Sequence, residues 1–131
     1  MDDFCAILAN HDVVELVHFT MYRPNDPGTL EKSGGLSRHP GGMAIDVGLL
    51  RKRDGTALTV EFDWPPAMGA ETCGARARHV IGRKGRELMS IVCEAADERL
   101  FHVMLTPHFN RAHRDHLHLE VKSEVKWFLV E

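Results

Sequence analysis

With 131 residues, 44% hydrophobic and 27% charged, the chain has the size and composition of one ordinary globular domain, long enough to bury a core without metal or disulfides to hold it. A formal net charge of −3 argues against nucleic acid as a main partner, because phosphate binding needs a basic surface. No run of about eighteen apolar residues occurs, so no transmembrane helix is expected; the amino terminus also lacks the basic and apolar stretches of a signal peptide, which leaves the compartment open.

Asp2 and Asp3 precede Phe4, Ile7 and Leu8, a spacing that predicts a short helix with an acidic start. Val13 to Tyr22 is rich in β-branched and aromatic residues and predicts a strand. Arg23 to Leu36, with its prolines and glycines, predicts a loop. Ala44 to Leu50 and Thr56 to Trp64 predict two strands joined at the Asp54-Gly55 turn as a hairpin, ended by Pro65 and Pro66. A helix is expected over Arg76 to Asp97, firmest from Arg86, with Val80, Ile81, Leu88, Ile91, Val92 and Ala95 as its buried stripe. Phe101 to Leu105 predicts a strand, Pro107 to Arg114 a loop, His116 to Val121 a strand, and Trp127 to Val130 a short terminal strand or packed tail. Strands mixed with two helices predict an α+β fold with a small, mainly antiparallel sheet. Trp64 and Trp127 are expected to pack rather than bind carbohydrate, and His11, His18 and His79 read as surface or core histidines.

Two segments concentrate chemistry. Ser37 to Asp46 offers His39 and Asp46 seven residues apart; His113 to His118 packs three histidines and Asp115 into six residues. On a strand, Ala44, Asp46 and Gly48 share one face while Ile45, Val47 and Leu49 face the core. A carboxylate between Ala and Gly leaves room above it for a metal and a peptide substrate, and a charge inside an apolar strand needs a partner. Gly41 and Gly42 permit the tight path that brings His39 over Asp46, and Ser37 can brace that loop. His116 and His118 share a strand face: both can ligate a metal, or one ligates while the other faces the reaction. Three protein ligands with an open fourth position make a catalytic zinc site. The three cysteines, Cys5, Cys73 and Cys93, contain no Cys-x-x-Cys pair; they allow at most one internal disulfide and read first as small buried thiols.

These residues carry a resemblance. The chain resembles the LAS group of zinc peptidases, which includes D-alanyl-D-alanine carboxypeptidases and dipeptidases, the penicillin-insensitive murein endopeptidase and the hedgehog amino-terminal domain. The group's signature, Ser-x-His-x-x-Gly-x-Ala-x-Asp followed by a late His-x-His or Asp/Glu-x-x-His, is matched by Ser37, His39, Gly42, Ala44 and Asp46. Within that group the chain is similar to the bacterial extensin-like C-terminal domain family, through Leu36 to Val47, Asp54-Gly55, Asp63-Trp64 and Leu105 to Glu120.

The resemblance implies a hedgehog/DD-peptidase-like fold with helices on one side of the sheet, and Zn2+ held by His39, Asp46 and His118. It implies Asp115 as catalytic acid or base, His113 and His116 polarising the carbonyl or stabilising the tetrahedral intermediate, and Arg23 near the substrate. Because strict alternation sets Asp115 opposite His118, His113 competes with it as the base unless the strand begins after Asp115. The resemblance also implies peptidoglycan peptides as substrate, a monomer, a periplasmic, envelope or secreted location, and Cys93 near a family cysteine position with Cys73 as a candidate partner. The competing reading is a zinc-containing binding module of the same fold without catalysis.

Overall fold

The structure is a computed structural model that describes residues 2–22, 43–77, 82–122 and 124–131, with the side chains of 20–22 left aside. Among the described residues the elements run α1 (Asp2–Asn10), β1 (Val13–Tyr22), β2 (Met43–Lys52), β3 (Ala57–Thr59), α2 (Val60–Asp63), α3 (Arg83–Asp97), β4 (Val103–Leu105), a 3-10 turn (Arg111–His113), β5 (Leu117–Val121) and β6 (Leu129–Val130). The fold is α+β. Its mixed sheet runs β1-β2-β5-β4-β6, with β3 also paired to β2. Every pairing is antiparallel except that of β4 with β6.

β2 is the strand with the most partners, pairing with β1, β3 and β5. β1 lies along one edge of it; β3 and β5 pair with it elsewhere, β3 from Leu49 to Arg51 and β5 from Met43 to Val47. The expected hairpin forms at Asp54-Gly55. Gly55 takes a positive φ of 92°, and the Thr56 backbone N–H donates to Asp54 Oδ1 at 2.9 Å.

The helices and the sheet share one core. α3 turns Leu88, Ile91, Val92 and Ala95 inward at helical spacing, and α1 adds Phe4, Ile7 and Leu8. Against them lie Ile45, Val47, Leu50, Met104, Leu117 and Leu119 of the sheet. Phe101, expected within a strand, instead packs edge-on against Phe4 just before β4, at 5.1 Å between ring centres. His11 ties α1 to α3: its Nδ1 lies 3.1 Å from Glu87 Oε2, and its Nε2 meets Glu94. Lys52 at the end of β2 joins the same group through Glu87, at 3.0 Å.

Four further expectations change. The strand expected over Thr56 to Trp64 stops at Thr59 and becomes a helical turn. In a strand Val60, Phe62 and Trp64 would share one face; in the turn Val60 and Trp64 are both buried while Phe62 is 79% exposed. Leu50 rather than Leu49 enters the core, because Gly48 is an extra residue: Val17 faces Leu49 and His18 faces Val47, so β2 bulges at Gly48 and its alternation shifts. The long helix begins at Arg83, after Gly82 at φ 99°, whereas Arg76 and Ala77 belong to a turn closed by Ala77 N–H to Gly74 O. Finally, Cys73 and Cys93 are not free thiols but a disulfide that fastens the irregular segment after α2 to α3, and Cys5 is exposed.

Candidate functional site

Asp46 and His118 face each other across the β2–β5 ladder. Neighbouring residues on both strands are buried apolar groups (Ile45 and Val47 on β2, Leu117 and Leu119 on β5), so the two polar side chains stand together on the opposite face. His118 Nδ1 lies 2.9 Å from Asp46 Oδ1, with the two side chains only 20% and 16% exposed. The carboxylate inside an apolar strand therefore has its partner. Gly48, two residues further along β2 at the bulge, presents no Cβ, and the Phe19 ring occupies the place where one would stand.

β5 begins at Leu117, one residue later than expected, which leaves Asp115 and His116 in the turn before it. Asp115 is thereby freed from strand alternation, and its Oδ1 accepts from His116 Nδ1 at 2.8 Å. That hydrogen bond holds the Asp115 carboxyl below the usual range. It also fixes His116 with Nε2 directed towards Asp46 Oδ1, at 3.9 Å. His113 closes the cluster, its ring 4.9 Å from that of His116 and 6.3 Å from that of His118. Asn110 Oδ1 lies 2.7 Å from His113 Nδ1, across the 3-10 turn. An amide oxygen only accepts, so the Nδ1 of His113 carries the hydrogen and Nε2 keeps its lone pair. Burial lowers the pKa of His113, and the neighbouring His116 and His118 lower it further. His113 is therefore set up as a neutral proton acceptor.

The loop carrying these residues is anchored from beneath. His108 is buried: its Nε2 accepts the Trp64 indole N–H at 3.1 Å, and its Nδ1 lies 3.2 Å from Thr72 Oγ1. The indole N–H can only donate, so Nδ1 of His108 holds the hydrogen and donates to Thr72. Burial pushes its pKa down, in keeping with a neutral ring. His108 supports the site without lining it. His102 is likewise structural, accepting the Lys122 backbone N–H at 2.8 Å and stacking on Phe128.

Asp46, His113, Asp115, His116 and His118 thus come together, while His39 and Arg23, with Ser37, Gly41 and Gly42, lie outside the described residues. Among the described residues no group of three His, Cys, Asp or Glu side chains is disposed to hold a metal. The donor chemistry of the Asp46–His118 pair nonetheless suits zinc. An imidazole nitrogen and a carboxylate oxygen, here 2.9 Å apart, are both ligand types that zinc takes, provided Nδ1 gives up the hydrogen it shares with Asp46.

The extensin-like protein C-terminus family matches residues 3–129. The chain belongs to that family. No curated protein and no solved structure matches it. In this extensin-like domain, sequence reasoning missed Asn110, whose three-residue spacing from His113 is the signal of a side-chain bond across one 3-10 turn. It also missed the Trp64–His108–Thr72 support, whose members are distant in sequence and carry no joint signal.

Proposed function

We propose that this extensin-like domain is a zinc-dependent LAS-type peptidase that hydrolyses an amide bond in the stem or cross-link peptides of peptidoglycan. The observation that carries the reading is the Asp46 carboxylate paired with His118 on the sheet's open face, with His113, His116 and Asp115 gathered beside it. Asp46 and His118, with His39, would hold the metal. Bound there, zinc supplies Lewis-acid activation of a water and of the amide carbonyl.

The remaining steps belong to the chain's own side chains. His113, with its hydrogen held on Nδ1 by Asn110, accepts a proton from the attacking water at Nε2 and returns it to the leaving amine. Asp115 is engaged by His116, so it acts as the group that orients that ring rather than as the base. His116 directs Nε2 into the site, where a proton on it donates to the developing oxyanion. The Cys73–Cys93 bond supports a periplasmic, envelope or secreted location, since such bonds persist in oxidising compartments.

Mass analysis of muropeptides after incubation with zinc-loaded protein, with and without chelator, tests the reading. Cleavage that chelator abolishes is expected. No cleavage across a broad panel, with zinc still bound, would leave a zinc-containing binding module. His118→Ala and His39→Ala should each lose zinc and hydrolysis together; stoichiometric zinc in both variants sinks the ligand assignment.

A further inference from the structure

Beside the histidines lies an aromatic ring that the reaction above does not use. Phe19 is 58% exposed, unusual for a phenylalanine in a sheet. Its position is built by two adjacent bulges. His18 faces Val47 and Thr20 faces Asp46, so Phe19 is an extra residue in β1; the extra residue of β2, on the neighbouring strand, is Gly48. Bulges re-aim side chains, and they are common next to active sites. The ring lies directly over Gly48, where a Cβ would come within 2.2 Å of its Cζ. It reaches His116 with its centre 6.3 Å from the imidazole, in an edge-to-face contact. On the other side Phe109, 38% exposed, meets His113 edge-on at 5.4 Å. The polar cluster is thus flanked by two exposed rings, and the missing side chain at Gly48 makes room for the far end of one of them.

We infer that Phe19 is a specificity-determining residue: its exposed ring holds the apolar side chain of a residue flanking the amide bound at the Asp46–His118 site. The inference rests on the proposed peptide substrate and adds to it a side-chain preference. A ring held edge-on to an imidazole and open to solvent offers an apolar surface without hydrogen-bonding groups. It therefore favours an aliphatic side chain over a hydroxylic or anionic one.

The test is peptide binding by chemical-shift titration, with cleavage of the same peptides followed separately. The panel is N-acetylated tripeptides, in D and L series, carrying Leu, Ala, Ser or Glu at each residue flanking the central amide. Wild type is expected to bind Leu or Ala over Ser or Glu by roughly tenfold at one flanking position. Phe19→Ala should lose that preference and Phe19→Tyr should keep it, all with unchanged zinc content. Gly48→Ala, which retains Phe19 but displaces its ring, should lose it too. The same preference in wild type and Phe19→Ala, or no binding by any peptide, overturns the inference. A Phe19-dependent preference without cleavage keeps the inference and fails the peptidase reading. Cleavage with selectivity independent of Phe19 does the reverse.

Discussion

Replacing Cys73 and Cys93 together with alanine releases a crosslink between residues 20 positions apart. In the chain-entropy treatment, closing a loop of that length is worth about 3 kcal/mol through the unfolded state. At the unfolding entropy of an ordinary 131-residue domain, that loss lowers Tm by roughly 11 °C. The sulfurs join the segment that carries Thr72 to α3, and Thr72 in turn holds His108 and Thr106. The freed segment therefore has contacts of its own, which makes the entropic figure an upper value. Differential scanning calorimetry of the oxidised protein, the reduced protein and the double variant measures it directly. The reduced protein and the variant should melt together, well below the oxidised form. Melting of all three within about 3 °C of one another would refute the reasoning, because it would mean that the crosslink does not restrain the unfolded chain.

Three further outcomes follow from the side-chain geometry. Glu87 and Glu94 engage both ring nitrogens of His11, and an imidazole donates from both only when protonated. Burial opposes that charge, yet the two carboxylates outweigh it and raise the His11 pKa above 6.5. The resulting stability is fully present below pH 6.5 and is lost as pH rises through the raised value. The Tm difference between wild type and His11→Gln should therefore be largest in mild acid and shrink as the pH rises; a difference that grows towards alkaline pH would contradict the pairing. If the proposed peptidase reading holds, His113→Gln should lower kcat on a cleaved muropeptide by about 10²- to 10⁴-fold, the usual worth of a positioned base. Asp115→Asn, which can still accept from His116 Nδ1, should cost only about 10- to 100-fold; the opposite ranking would make Asp115 the base.

Much of the fold was legible in the sequence because local and tertiary preferences agree. Val13–Tyr22 is a strand over the whole expected range, and Asp54-Gly55 closes the hairpin where its turn chemistry demands. The misses have physical causes. Alternation cannot reveal an inserted residue, so the bulge at Gly48 moved the inward position from Leu49 to Leu50. Val60 to Asp63 alternates like a strand, yet a helical turn buries Val60 and Trp64 together and leaves Phe62 outside. Within the site, residue types and spacing brought Asp46 and His118 to attention; that they stand directly opposite one another is set by the β2–β5 register, which alternation does not reveal. The engagement of Asp115 with its own neighbour His116 was not legible, because it depends on β5 starting at Leu117.

The Asp46–His118 pair has a consequence for how such a site can change. Both side chains sit on paired strands, directly opposite one another, so backbone hydrogen bonding alone sets their spacing. His113, Asp115 and His116 instead ride on the connection between β4 and β5. Lengthening or recasting that connection would alter these three groups, to which the proposed mechanism gives the proton transfers, and leave the carboxylate–imidazole pair where it is. The fold thereby separates a fixed half of the site from a variable half, and new chemistry can be tried in the second without rebuilding the first.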